Sequence, residues 1–217
     1  MRAVFFAWGR ALEVSYEIER ILEANGLHVT YSHALGWDDQ SPALAFEFQS
    51  PNLLFNFSPV IVRAEHLAMV SAAINFHTGP PRWPGRGSCS MALLHGDKDF
   101  GVTAHLMTPQ VDAGPIIAVK RFAIDPSWSC RDLHQATLGH VPSLVSDVVH
   151  TMRKNDWRVP KSDGWAWERK AVTKAEFDAA MEIADPSEAD TKIRAFAHPE
   201  KPGPYVKVSG RKFWYRE

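Results

Sequence analysis

Asn75 and His77 stand two residues apart in the run Ala73-Ile74-Asn75-Phe76-His77, and Asp112 follows later in the turn Val111-Asp112-Ala113-Gly114-Pro115. On an extended chain, residues i and i+2 point to the same face, so the amide and the imidazole are side by side. An amide offers N–H donors to an oxygen that gains negative charge, and an imidazole exchanges protons near neutral pH. A carboxylate can orient that imidazole or take up a proton itself. The three together make an acyl-transfer kit. Singly, each has an ordinary reading: an Asn bonded to backbone before a turn, a His satisfied in place, and a D-A-G that merely turns the chain.

The elements that must position them follow from periodicity and punctuation. Val4-Phe5-Phe6 reads as a first strand, and an amphipathic helix with Val14, Ile18, Ile21 and Leu22 on one face runs to about Ala24. Asn25-Gly26 ends it, and Leu27 to Tyr31 is a second strand, so the chain opens as a βαβ unit of an α/β fold. The opening lacks G-x-G-x-x-G, so no dinucleotide fingerprint is present. Trp37 to Ser50 holds at most a short helix, Asn52 to Phe57 is a strand, and a helix spans Arg63 to Ser71. Ala73 to Phe76 is a buried strand. The loop after it, Thr78 to Gly87, is rich in Pro and Gly.

Ser88 is the expected N-cap of a helix to Leu94, and Gly101 to Met107 and Ile116 to Phe122 are strands around the Asp112 loop. Ser127 or Ser129 caps a long helix to about Asn155 that should break or kink at Pro142. Beyond it, a helix from Thr173 to Ala184 and a hairpin, Tyr205 to Val208 and Arg211 to Tyr215 turning at Ser209-Gly210, complete the reading.

Composition narrows the class. In 217 residues, 45% hydrophobic and 23% charged, there is material for one sizeable core. A net charge of −1 gives no basic surface for nucleic acid. No apolar run approaches a membrane span, and Met1 to Phe6 is too short for a signal peptide, so neither membrane nor export is expected. Cys89 and Cys130 are lone thiols without C-x-x-C spacing, which fits a cytoplasmic protein and offers no metal framework.

Four motifs taken together resemble the 10-formyltetrahydrofolate-dependent formyltransferase family over roughly residues 50–155: Ala73 to Pro81, Gly85-Arg86-Gly87, Gly101 to Met107 and Val111 to Ile117. Thr78 stands where the family generally has Pro. The resemblance implies a Rossmann-like α/β fold, a mainly parallel twisted sheet flanked by helices. Residues 1–155 would be the catalytic domain and 156–217 a short C-terminal extension ending in a β-hairpin. It further implies that Asn75, His77 and Asp112 are the catalytic residues and that 10-formyltetrahydrofolate is the co-substrate, with no metal. The folate would lie along Met107, Thr108, Pro109, Gln110 and Val111. Trp8 and Gly9 in the first βα turn, and Trp83 and Arg86 in the loop after His77, would line the acceptor cleft, with Trp83 or Trp165 available to stack on a base. His105 is read as part of the fold and given no catalytic role.

The acceptor is the finer question. Ile193-Arg194-Ala195 with Pro199 and Pro202-Gly203-Pro204, and the connector Arg169-Lys170 with Thr173, are similar to segments of the nucleotide-sugar N-formyltransferases. So is the H-x-G-P-P…P-G-x-G form of the loop. The expectation is formylation of a nucleotide-linked amino-deoxy sugar for surface glycan or lipopolysaccharide assembly. A hydroxyornithine-type siderophore precursor and methionyl-tRNA are the alternative amines, the latter disfavoured by the lack of positive charge and of a long basic extension. A formyltetrahydrofolate hydrolase would use water, and a chain opening at its first strand without a regulatory domain is not expected to be one. The apolar hairpin, with Phe213, Trp214 and Tyr215, suggests a homodimer contact.

Overall fold

Strand β1 (Arg2–Trp8) is buried on both faces: Ala3, Phe5 and Ala7 enter one apolar layer, and Val4 and Phe6 enter the opposite one. That two-sided burial is what a central strand of a parallel sheet requires. The computed structural model describes residues 1–35, 52–160, 164–198 and 202–216. The expectation for Trp37 to Ser50 lies outside the described residues.

Helix α1 (Leu12–Ala24) packs Ile18 and Leu22 on the sheet and ends at Asn25, followed by Gly26 in the left-handed region. Strands β2 (His28–Leu35), β3 (Leu53–Asn56) and β4 (Ala72–His77) run parallel to β1. Between β3 and β4 the expected helix contracts to a single turn, α2 (Ala64–Leu67), which buries no residue. Helix α3 (Ser88–Leu94) precedes β5 (Asp99–Leu106), and β6 (Ile116–Ala123) follows.

The six strands are ordered β2-β1-β3-β4-β5-β6. Because β5 is antiparallel to both β4 and β6, it alone runs against the others. The sheet is thus mixed but mostly parallel, Rossmann-like, with helices on its faces.

Helix α4 (Cys130–Lys154) starts at Ser129, whose hydroxyl accepts the Asp132 N–H while Asp132 accepts the Ser129 N–H. This reciprocal cap selects Ser129 over Ser127. The helix continues through Pro142 and so is not broken there. Val141, Pro142, Leu144, Val145, Val148 and Val149 are all buried. An interior proline costs ~3 kcal/mol, whereas each buried aliphatic side chain contributes ~1.5–3 kcal/mol, so packing wins.

A second apolar cluster joins α3 to the C-terminal segment. Cys89, Met91, Leu93 and Leu133 meet Val172, Met181, Phe196 and Tyr205. That segment holds α5 (Lys174–Ala180, shorter than expected), a 3-10 turn at Pro186–Glu188, an unforeseen helix α6 (Ala189–Phe196), and the hairpin β7 (Tyr205–Val208) and β8 (Arg211–Trp214). The hairpin turns at Ser209 and Gly210, both with positive φ, as its tight connection requires. Tyr205 is buried, whereas Phe213, Trp214 and Tyr215, from which the homodimer contact was expected, are exposed. No helix of the described residues is long and apolar enough to cross a membrane.

Candidate active site

Strand register builds the site. In β3, β4 and β5 the apolar residues Phe55, Ile74, Phe76, Val102 and Ala104 point into the layer beneath α1 and α4. The intervening positions point the other way. Asn56 pairs with Asn75 across β3 and β4, and Asn75 pairs with His105 across β4 and β5, so three polar side chains form one lateral row. His77 lies one step beyond Asn75 on the same face. The row sits at the carboxyl end of β3 and β4, where open α/β sheets place their ligands.

Asp112 completes it from the loop between β5 and β6. Its side chain is only 8% exposed, and the two carboxylate oxygens divide their partners. Oδ2 lies 3.1 Å from His77 Nδ1 and accepts the Gly85 N–H at 2.8 Å. Oδ1 lies 3.1 Å from His105 Nε2 and 3.4 Å from Asn75 Nδ2. One carboxylate therefore bridges two imidazoles beside a carboxamide. Burial by itself would raise the Asp112 pKa, but His77, the His105 hydrogen bond and charge, and the Gly85 N–H outweigh it. The group is held well below the ordinary carboxylate range and stays ionised.

Acceptor-only partners assign several protons. His77 Nε2 is 3.0 Å from the Trp83 carbonyl oxygen, so both ring nitrogens face acceptors and the imidazolium satisfies both. In the neutral ring protonated at Nδ1, Nε2 instead accepts from the Ser88 hydroxyl at 3.3 Å. His105 Nδ1 donates to the Leu106 carbonyl at 2.8 Å. Its Nε2 then either accepts from Asn75 Nδ2 at 3.0 Å or, protonated, donates to Asp112. The three groups can pass and hold protons while keeping the carboxylate charged.

The sequence expectation for Ser88 is corrected here. The N-cap of α3 is Gly87, at φ 69°, and Ser88 is the first helical residue, with its hydroxyl beside His77. A side chain at position 87 would collide with the Phe177 ring at 2.1 Å, so the left-handed cap falls to glycine. Trp83 is corrected too. Its ring is 3% exposed within the second apolar cluster, its Nε1 donates to Asp97 at 2.6 Å, and the Arg82 and Arg169 guanidinium groups lie over it. A ring so enclosed cannot stack on a base. Its backbone carbonyl is what reaches the site.

The other expected contacts divide. Trp8 ends β1 at the same sheet edge, set edge-on to Phe57 and His134, and its buried Nε1 has no hydrogen-bond partner among the described residues. Gly9 forms the turn behind it. Arg86 is exposed, and its N–H donates to the Val172 carbonyl at 3.1 Å. Trp165 is 38% exposed. Met107, Thr108, Pro109, Gln110 and Val111 form the stretch from β5 to Asp112. Met107 is tied to the Ala73 carbonyl, Thr108 donates to the Gln110 carbonyl, and Pro109 to Val111 are exposed.

Three residues of the site went unassigned in the sequence. His105 and Asn56 were legible in principle, since each faces Asn75 once the strands are aligned. Trp167 carried no such signal. It comes from the C-terminal segment, donates Nε1 to the Gly114 carbonyl at 2.8 Å, and sets its ring edge-to-face against His105 at 5.1 Å and His77 at 6.0 Å.

Residues 53–149 match the model of the formyl transferase family. A methionyl-tRNA formyltransferase from Bdellovibrio bacteriovorus is 31% identical over 135 residues, 61% of this chain and 41% of that protein. The chain thus spans less than half the length of this curated relative. Two solved structures share the fold. A sugar N-formyltransferase from Shewanella sp. superposes with a TM-score of 0.75 at 16% identity, covering 100% of this chain and 97% of that one. The N-formyltransferase of Helicobacter canadensis, solved with folinic acid and dTDP-3-aminofucose, gives 0.67 at 16% identity, covering 97% and 85%. The segment that matches the formyl transferase family holds the polar row and the Asp112 loop, and the fold is one shared with sugar N-formyltransferases.

Proposed function

We propose that the protein transfers the formyl group of 10-formyltetrahydrofolate to the amino group of a nucleotide-linked amino-deoxy sugar, in the cytoplasm, for surface glycan assembly. The observation that carries this reading is the Asp112 carboxylate bridging His77 and His105 beside the Asn75 carboxamide. Attack of the amine nitrogen on the formyl carbon forms one C–N bond and leaves negative charge on the former carbonyl oxygen. Collapse breaks the bond to folate N10, and the proton lost by the amine balances the one N10 takes up. Asn75 Nδ2 is the donor suited to the oxyanion. Its 3.4 Å contact to Asp112 is the weakest in the set and the one an incoming oxygen would replace. His77 takes part in the proton transfer, and Asp112 holds it in place and keeps a negative charge beside the imidazolium.

The folate is assigned to the segment Met107 to Val111, and the acceptor to the side of Trp8, Gly9 and Arg86. Support for folate and for a sugar acceptor comes from a fold shared with an enzyme solved with folinic acid and dTDP-3-aminofucose. A second reading, methionyl-tRNA as acceptor, is favoured by the sequence relative from Bdellovibrio.

The test is an acceptor panel of UDP-, dTDP- and GDP-linked amino sugars, hydroxyornithine, methionyl-tRNA and no acceptor. Each is incubated with 10-formyltetrahydrofolate, with the formylated product read by mass. Product on one amino sugar is expected. Product on methionyl-tRNA or hydroxyornithine alone would overturn the acceptor, and tetrahydrofolate release without acceptor would make the protein a hydrolase.

A further inference from the structure

An amide side chain can serve as an oxyanion donor only if its nitrogen, not its oxygen, faces the reacting centre. The two ends differ little in shape, so something must fix the direction. Among the described residues, the Asn75 carboxamide bonds only side chains, so no backbone group does this. Its neighbour in register, Asn56 on β3, is 2% exposed. Asn56 Nδ2 donates to Asn75 Oδ1 at 2.8 Å and lies 3.3 Å from the Ser58 carbonyl oxygen. Asn56 Oδ1 accepts the Ser58 hydroxyl at 2.7 Å, and that hydroxyl in turn lies 3.3 Å from the Val60 N–H.

The direction is determined at both ends of this chain of bonds. The Ser58 carbonyl accepts only, so the Asn56 nitrogen must face it and the Asn56 oxygen must face the hydroxyl. With Asn56 so fixed, its second N–H points at Asn75, which must answer with oxygen. The Asn75 nitrogen is thereby turned toward His105 and Asp112, and the Asp112 carboxylate, again acceptor-only, agrees. We propose that Asn56 is a positioning residue that sets the direction of the Asn75 carboxamide and so makes it a donor at the reaction centre. This rests on the formyl-transfer reading for its consequence but not for its geometry.

Substituting Asn56→Asp keeps size and shape while making the polarity depend on protonation. Burial raises a carboxylic acid's pKa. Near pH 5 the protonated group still donates to Asn75 Oδ1. Near pH 8 the carboxylate accepts from Asn75 Nδ2 and turns the amide around. At pH 8, kcat should fall about 100-fold, as on loss of an oxyanion donor, with KM for both substrates little changed. Activity should recover toward pH 5 relative to the wild-type profile. Asn56→Ala, which removes the donor without adding an acceptor, should lose about 10-fold in kcat.

A readout independent of turnover is the pair of Asn75 side-chain NH2 signals in NMR, expected to shift at pH 8 in Asn56→Asp and to return at pH 5. Wild-type kcat in Asn56→Ala, or Asn75 signals in Asn56→Asp that follow the wild type at both pH values, would overturn the proposal. If Asn56→Asp does not fold, Asn56→Ala decides it through the division between kcat and KM. A wild-type protein inert on every acceptor would sink the formyl-transfer reading instead, leaving the NMR result to decide the orientation.

Discussion

Asp112 adopts φ 43°, a left-handed backbone that costs most side chains ~1–2 kcal/mol and that Asp tolerates better than most. That backbone turns its carboxylate inward, where two imidazoles and the Gly85 N–H receive it. Burial opposes the ionised form, and those partners more than offset it. Because the folded group binds its proton less readily than the unfolded one, the unfolded chain takes up more protons as pH falls, and stability falls with it. The contribution is fully present above the ordinary aspartate value of ~3.9 and is lost as pH drops through and below it. Asp112→Asn should therefore flatten the acid limb of the stability curve. Urea unfolding from about pH 5 down to about pH 2 reads this directly, and an acid limb as steep in the variant as in the wild type would refute it.

The loop Pro81 to Arg86 and the strap of residues 167–172 act as one element. The Glu168 N–H donates to the Pro81 carbonyl at 3.1 Å, the Val172 N–H to the Pro84 carbonyl at 2.8 Å, and the Arg86 N–H to the Val172 carbonyl at 3.1 Å. The strap thereby steadies Gly85, which holds Asp112, and brings Trp167 against both histidines. Gly114, which accepts the Trp167 N–H, is itself pressed on the Leu106 carbonyl: a Cβ there would come within 1.9 Å. Trp167→Phe keeps an aromatic wall and loses the bond to Gly114, whereas Trp167→Ala loses both. The expected order of kcat/KM is wild type above Phe above Ala, with Phe down about 5-fold, roughly one hydrogen bond. Equal rates in all three would show that the strap does not act on the site.

This element also marks where sequence reading stops. Asn75 and His77 were legible as neighbours on one face because strand alternation is a local signal, whereas their reading with Asp112 as one catalytic set came from the resemblance of four motifs taken together. Ser129 was one of two readable caps, and its Asp132 partner decides between them. The contact from Trp167 to Gly114 joins loops 53 residues apart in sequence, and no local pattern encodes it. Helix α6 was missed although Asp185 and Glu188 form a reciprocal cap just before it, a signal hidden in a Pro- and Ser-containing turn. Trp83 misled for a different reason. A tryptophan in a Pro-rich loop looks available to ligand until its partners, Asp97 and the apolar cluster of the C-terminal segment, are placed around it.

At the scale of the molecule, the sheet divides the work. One face carries the apolar layer beneath α1 and α4, and the other carries a smaller apolar layer of Val4, Phe6, Leu54 and Ala73 together with the polar row, against which Trp167 of the C-terminal segment sets its ring. The row can be ionised and still buried because the strands bring His77, His105 and Asn75 to Asp112 and the loop brings the Gly85 N–H, while the strap holds that loop, so no one element makes the site. The most direct test of the account is the rate of formyl transfer from 10-formyltetrahydrofolate to the acceptor that the panel identifies. It should be measured in the wild type, Asn75→Ala, His77→Ala and Asp112→Asn, with folding followed by circular dichroism. The account predicts a loss of about 100-fold or more in kcat for each variant, the scale of an oxyanion donor or general base, with all four proteins folded. Folded variants that keep wild-type rates would contradict it and move the chemistry elsewhere.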